Sequence, residues 1–391
     1  MPSANKLPSL LQMIEGLIST PSISCVDPAF DQGNLAVIEL LADWLTGHGF
    51  SVELMPLPGT PAKANLVATL GSGPGGLVLS GHTDTVPFDS GKWQHDPFQL
   101  TDANQRLYGL GTSDMKAFLA LAIEACRGLR AQDLAEPLII VATADEETSM
   151  SGARALLESQ RPHARHAIIG EPTGLRPVRM HKGIFMESIS LQGQSGHSSD
   201  PSLGNSALEA MHRVIAELLE WRVQLQEQYR NPVFAIPVPT LNLGHIHGGD
   251  NPNRICPDCE LHIDLRPLPG MHINELRAEL HRRVTAVLEP AAIAVSFDAL
   301  FEGIPAMETP ASAEIVQLTQ RLTGHTPGAV AFGTEAPYLT QLGMDTVILG
   351  PGDIEQAHQP DEYLALNRLQ PTIDLLQAVI KSVCIRPERL L

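Results

Sequence analysis

Positive charge is scarce in this 391-residue chain, where 26 Lys and Arg face 44 Asp and Glu for a net charge of −18. So acidic a chain offers no broad basic surface, which argues against nucleic-acid and anionic-membrane partners and favours cation binding. Cysteine is sparse as well. Cys25, Cys126, Cys256, Cys259 and Cys384 are odd in number and scattered, which predicts reduced thiols and a cytoplasmic setting rather than a disulfide framework. No run approaches the roughly 18 apolar residues that a membrane-spanning helix needs. The opening stretch MPSANKLPSLLQMIEGL reads as an amphipathic helix, without the apolar core of a secretory leader. Aromatic residues are only 4%, but hydrophobic residues reach 43%, in keeping with a soluble globular protein. The length exceeds what one ordinary core holds and predicts two domains.

From residue 34 to 181 the pattern is α/β. Apolar helices (Leu35 to Leu45, Lys116 to Leu129 and one near Ala153) alternate with short apolar strands at Leu66–Leu70, Leu77–Ser80, Leu138–Thr143 and Ala167–Gly170. Continuous apolar strands of this kind predict a buried, largely parallel or mixed sheet flanked by helices. The grammar then changes. A strand at 184–192, a long helix capped by Asn205 or Ser206, strands at Thr240–Ile246 and Glu260–Arg266, a helix at 273–288 and a strand at Ile293–Phe297 spell βαββαβ. That order is the split pattern of a ferredoxin-like α+β domain. Beyond it come a helix at Ala313–Leu322, a strand at Thr346–Leu349 and a closing helix at Leu369–Val383. The expected layout is one catalytic domain in two parts, 1–181 and 299–391, interrupted by an inserted domain at 182–298.

The chemistry-bearing residues gather where strands stop. LVLSGHTD presents His82 and Asp84, and the turn GLGTSDMK presents Asp114 just before a helix. LIIVATADEE ends in Asp145, Glu146 and Glu147; AIIGEPT ends in Glu171; and VILGPGDIEQAHQP carries His358 in a loop after a strand. Ligands of open α/β sheets collect beyond the carboxyl ends of the strands, so these groups are expected to meet in one crevice. Converging carboxylates repel and raise one another's pKa unless a cation lies between them. The donors are too many for one catalytic zinc, which takes three protein ligands and an open position. They suit two divalent ions sharing a carboxylate, Zn²⁺ or Co²⁺ by the mix of imidazole and carboxylate. Such a pair polarises a carbonyl and lowers the pKa of water. One member of the Glu146–Glu147 doublet can then bind metal while its neighbour moves protons. Asp84 is placed to hydrogen-bond the second nitrogen of His82 and fix its tautomer.

GHTDTVP, GLGTSDMK, ATADEETSMSGA, IIGEPT and GQSGHSSDP together resemble the di-zinc aminoacylase/carboxypeptidase family of metallopeptidases, over nearly the whole chain. Within it the likeness is to the acetylornithine-deacetylating members. The resemblance implies a zinc-peptidase-like catalytic domain and an inserted lid and dimerisation domain. It implies one ion on His82 and Glu171, the other on Glu147 and His358, with Asp114 bridging and Glu146 as general base. It further implies that His197 in GQSGHSSDP reaches a partner subunit's active site to donate to the oxyanion, making the protein a homodimer. Asn253 and Arg266, with Arg254 as a rival, would hold the substrate carboxylate. The implied reaction removes acetyl from Nα-acetyl-L-ornithine, in arginine biosynthesis. Related readings are a deacylase of another acyl amino acid, a succinyl-diaminopimelate-type desuccinylase or a dipeptidase. From another class comes a non-catalytic metal or amino-acid binder, which would need no Glu146. Glu335, in FGTEAPY, is expected to meet the δ-ammonium of ornithine.

Three motifs stay outside this scheme. Cys256-Pro-Asp-Cys259 is a solitary CxxC leading into a strand, so a structural role is expected. GSGPGG (71–76) lacks the Lys-Ser/Thr of a phosphate loop and reads as a turn. His245-Ile-His247 could place two imidazoles on one strand face, but no nearby acid completes a metal set, and a loop element near the crevice mouth is expected.

Overall fold

The computed structural model describes residues 7–289 and 293–385. It divides the chain into two compact units: Met1–Arg179 with Thr309–Gly328 and Thr334–Leu391, and Met180–Glu308 with Ala329–Gly333. The second unit thus extends past the expected edge at 298, because its last long strand continues through Ala294–Ile304. Of the opening stretch, the helix covers Leu10–Ile18, with Ser9 and Gln12 closing a capping box; residues 1–6 lie outside the described ones. Among the described residues, no helix is long and apolar enough to cross a membrane.

The first unit is a mixed sheet between helices. Six strands run in spatial order Ser51–Leu57, Thr60–Leu70, Leu138–Thr143, Leu77–His82, His166–Pro172 and Asp345–Gly350. The last four pair in parallel, so their carboxyl ends share one edge. The first two form an antiparallel hairpin on the flank. Leu77–His82, Leu138–Thr143 and His166–Pro172 are buried along their whole length, which explains why they read as unbroken apolar runs rather than alternating ones. Helix Lys116–Ala125 is apolar on every side and almost wholly buried, the signature of a core helix. It lies so close to the sheet that a Cβ on Gly81 would meet the methyl of Met115 at 2.8 Å, and one on Gly170 the ring of Phe118 at 2.0 Å. The glycines before His82 and Glu171 are therefore packing requirements, and they bring the Asp114 turn down between those two strand ends.

In the second unit, strands Ile184–Gln192, Thr240–Gly248, Asp258–Arg266 and Ala294–Ile304 form an antiparallel sheet. Their spatial order is second, third, first, fourth. Helices Ala207–Gln228 and Ile273–Leu288 cover one face, burying Met211, Val214, Leu218, Leu280 and Val284 against Ile189, Leu261 and Ile263. This is the ferredoxin-like arrangement expected from βαββαβ.

Candidate metal centre

Strand Leu77–His82 ends with His82 only 1% exposed. Its Nε2 lies 3.1 Å from Oδ1 of Asp114 and 4.0 Å from Oε1 of Glu171. The other oxygen of Asp114 faces a second imidazole, with His358 Nε2 at 3.5 Å; that nitrogen is 3.0 Å from Oε1 of Glu147. Asp114 therefore stands between two imidazoles, one oxygen toward each. Ligand atoms of His82, Asp114 and Glu147 lie within 4.8 Å of one another, as do those of His82, Glu146 and Glu171. Asp114 and Glu171 are buried, Glu146 and Glu147 half-buried, and His358 exposed.

Electrostatics make this cluster costly as it stands. Burial, then the charges of neighbours including Asp114 and Glu147, raises Glu171 well above the ordinary carboxylate range. Burial and the charge of Glu171 do the same to Glu146. Burial alone would lower His82, but the hydrogen bond to Asp114 and the charges of Glu171, Asp84 and Glu146 lift it well above its usual value. Hydrogen bonds to Asp114 and Glu147 carry His358 up to about 10. Oε1 of Glu171 is buried with no hydrogen-bond partner. Cations among these donors would relieve both the repulsion and the orphaned oxygen, and the imidazole and carboxylate set fits borderline divalent ions.

Asp84 plays a different part from the one its spacing predicts. Its carboxylate accepts the backbone amides of Glu146 (3.2 Å) and Glu147 (3.1 Å). His82 Nδ1 instead meets the Asp84 backbone carbonyl at 2.9 Å, with the carboxylate 3.7 Å away. The amides of the next strand end hold the carboxylate, so only the carbonyl is left for the imidazole. Burial pushes Asp84 up to about 6. Asp145 turns away at a φ of 57°, and its Oδ1 pairs with Lys63 at 2.6 Å.

Two supporting groups escaped the sequence reading. Glu362, 1% exposed, accepts the backbone amides of Gly111 (3.1 Å), Ser113 (2.7 Å) and Asp114 (3.0 Å). It ties the Asp114 turn to the loop of His358, which lies four residues before it in sequence. Burial and the charge of Asp114 push Glu362 up to about 8, against the pull of these amides. Lys116 is buried in the first turn of its helix, donating to the Thr20 carbonyl (2.7 Å) and Ser22 Oγ (3.1 Å); burial brings it down to about 7. Neither carries a sequence signal, because what each one does depends on backbone atoms distant in sequence.

Glu335 is buried beside this sheet end. Oε2 accepts from Ser80 at 3.2 Å and Oε1 has no partner, and its charge reaches Glu146 and Glu171. His197, Asn253 and Arg254 belong to the second unit and come together there. His197 bridges to Arg254, and the Ser198 amide donates to the Asn253 carbonyl at 3.0 Å. His197 Nδ1 accepts the Ser199 amide at 3.2 Å, which leaves the proton of the neutral ring on Nε2. Arg254 pairs with Asp250. Arg266, at the far end of strand Asp258–Arg266, forks onto Asp264 at 2.8 and 3.0 Å and is not brought to the other three. Cys256 and Cys259 are buried free thiols.

The model of peptidase family M20/M25/M40 matches residues 78–382. The chain belongs to this family. It is accordingly a peptidase-type hydrolase of amide bonds, and its donor cluster is of the kind that holds metal. Solved structures share the fold. A tripeptidase from Staphylococcus aureus superposes with a TM-score of 0.73 at 21% identity, covering 95% of this chain and 97% of that one. A family M20 metallo-carboxypeptidase from Sulfolobus solfataricus gives 0.74 at 17%, covering 96% and 99%. A Bacillus subtilis protein described as a dinuclear metal-binding M20 peptidase gives 0.66 at 15%, covering 95% and 97%.

Proposed function

We propose that the protein is a di-metal amidohydrolase that removes the acetyl group from Nα-acetyl-L-ornithine, giving L-ornithine and acetate. The observation that carries the chemistry is Asp114, with one oxygen toward His82 and the other toward His358. Asp114 would bridge two divalent ions, zinc by donor type or cobalt, one completed by His82 and Glu171 and the other by Glu147 and His358. When bound, such ions polarise the acyl carbonyl and acidify water. Glu146, not needed as a ligand in this assignment, takes the proton from the attacking water and returns it to the leaving nitrogen. Its carboxylate shares the cluster of His82 and Glu171, where the attacking water would be activated. Asp84 orients the Glu146–Glu147 turn through its two amide contacts.

In a homodimer formed through the second unit, His197 would reach the partner's site and donate from Nε2 to the developing oxyanion, a contribution of about 2.7–4 kcal/mol for such a donor. Asn253, with Arg266 or Arg254, would hold the substrate carboxylate. Either arginine would first have to exchange an acid, Asp264 for Arg266 and Asp250 for Arg254, and Arg254 has the advantage of lying beside Asn253 and His197. Glu335 supports the choice of a cationic side chain. A buried acid with a bare oxygen can take an ammonium, and such a charge-assisted contact is worth about 1.5–3 kcal/mol.

Acetate or amine release from a substrate panel tests the reading: acetylornithine, acetylmethionine, succinyl-diaminopimelate and dipeptides. The expected result is the highest kcat/KM on acetylornithine, and a loss of about tenfold or more of its preference over acetylmethionine in Glu335→Gln. Unchanged preference would remove Glu335 from recognition; a dipeptide as the best substrate would replace the deacetylase reading.

A further inference from the structure

A buried cation lies behind the turn that carries the Glu146–Glu147 doublet. Lys63, on strand Thr60–Leu70, is only 6% exposed. Its Nζ donates to Asp145 at 2.6 Å and to Asp31 at 2.7 Å. Burial opposes the charge of this ammonium, but hydrogen bonds to the two acids outweigh it and hold Lys63 above the ordinary lysine value. The chain is built to close over it. A Cβ on Gly33 would meet the Cβ of Ala62 at 2.7 Å, so a glycine lets the segment bearing Asp31 lie on this strand. Asn34 then pairs with both the amide and the carbonyl of Ala64, at 2.9 and 2.8 Å. Lys63 and Asn65 alternate onto one face of the strand. Asn65 holds both ends of the same turn, accepting the Ala144 amide at 3.1 Å and donating to the Gly152 carbonyl at 2.8 Å.

Between those ends, Asp145 is the residue that Lys63 fixes. It stands in the left-handed region at a φ of 57°, where a residue other than glycine persists only if its surroundings hold it. Three side chains do so. Lys63 and Ser24 donate to Oδ1, the serine at 3.0 Å, and Ser151 donates to Oδ2 at 3.0 Å. The Asp145 carbonyl accepts the amides of Ser149 (3.1 Å) and Met150 (2.7 Å), which closes the turn. With the chain reversed there, the next two amides point at Asp84, and a carboxylate oxygen of Glu146 comes within 4.8 Å of ligand atoms of His82 and Glu171.

Building on the amidohydrolase reading, we propose that Lys63 is a positioning residue: through Asp145 it fixes the turn that aims Glu146, and with it Glu147, into the cluster. Lys63 itself touches none of the groups assigned to metal or proton transfer. A buried ion pair is a weak source of stability, so the value of this one lies in the geometry it imposes. Misplacing a reacting group by about 1 Å can cost about 100-fold in rate, and releasing Asp145 from its left-handed conformation moves the two residues that follow it.

The test compares wild type, Lys63→Met, Glu146→Gln and the double variant, at saturating zinc, on the best substrate of the panel. Lys63→Met should lower kcat about 10- to 100-fold with KM nearly unchanged. Placed on top of Glu146→Gln it should cost little more, because both changes remove the same function. Equilibrium dialysis, which needs no turnover, should show zinc held about tenfold more weakly in Lys63→Met, since Glu147 rides on the same turn. A lysine that only added stability would lower the unfolding midpoint and leave kcat of the folded protein alone. Wild-type kcat and zinc affinity together in Lys63→Met overturn the proposal, as does a full kcat loss repeated in the Glu146→Gln background. Wild-type turnover in Glu146→Gln would instead sink the catalytic reading, while the zinc comparison still judges whether Lys63 holds the turn. Should Lys63→Met fail to fold, Asp145→Asn and Asp145→Ala replace it. Asparagine accepts the left-handed conformation and keeps an oxygen for Lys63, so its kcat should exceed that of the alanine variant about tenfold; equal rates overturn the proposal.

Discussion

Glu362 offers the sharpest test of how the Asp114 turn is held, because its carboxylate touches backbone atoms and no proposed ligand side chain. It accepts three amides, from Gly111, Ser113 and Asp114, at 3.1, 2.7 and 3.0 Å. Each hydrogen bond to this largely neutral carboxyl contributes about 0.5–1.5 kcal/mol, and each buried amide left without a partner costs about 1–3 kcal/mol. Glu362→Ala strands all three donors, a loss of about 3–9 kcal/mol, comparable with the whole stability of a domain at about 5–15 kcal/mol. Glu362→Gln is the informative change. Its amide oxygen can stand where Oε1 accepts all three amides, but its NH2 replaces Oε2 beside the Gly111 amide, a donor facing a donor, so a loss of about 1–3 kcal/mol is expected. Urea unfolding of metal-free protein measures this without the added stability that bound ions confer. Equilibrium dialysis should show zinc affinity reduced about 10- to 100-fold, the usual effect of losing a partner that orients a ligand. Wild-type unfolding midpoint and zinc affinity together in Glu362→Gln would refute the clamp.

Glu146→Gln should leave zinc stoichiometry unchanged while kcat falls by about 10²–10⁴; turnover near the wild-type rate would assign the proton transfer elsewhere. Chelation should abolish hydrolysis, and added zinc or cobalt should restore it; activity that survives chelator with zinc measured as absent would end the metal reading. His181 is fully buried, its Nδ1 against the Lys182 carbonyl at 2.7 Å and its Nε2 without a partner, and burial brings it down to about 4 from 6.5. The unfolded chain therefore binds the extra proton between those two values, and stability must fall as pH drops from 6.5 toward 4. At 1.36 kcal/mol per unit, the ceiling is about 3 kcal/mol. The difference in unfolding free energy between wild type and His181→Gln should change by up to that amount over this window, and parallel pH profiles would contradict it.

What could be read from the sequence followed one rule: signals survive where neighbours in sequence do the work. His82, Asp114, Glu146, Glu147, Glu171 and His358 each sit at a strand end or turn flanked by its own apolar run. The parallel order of Leu138–Thr143, Leu77–His82, His166–Pro172 and Asp345–Gly350 then carries those ends to one edge. Strand position could be inferred, but side-chain partners could not. Asp84 and His82 are two residues apart, yet the Asp84 carboxylate goes to the amides of Glu146 and Glu147 because that strand end lies alongside. Glu362 and Lys116 were hidden for the same reason, since their partners are main-chain atoms whose proximity no residue type announces. His245 and His247 lie on strand Thr240–Gly248 rather than in a loop, and register concealed which way they face. A single inserted glycine reverses which face a strand presents, and Glu260 lies across the ladder from His247 rather than near it in sequence. Counting by twos from the inward Leu243 sends His245 to the core side; because Gly244 is taken up as an extra residue, His245 stands instead opposite His262 on the face the helices leave open.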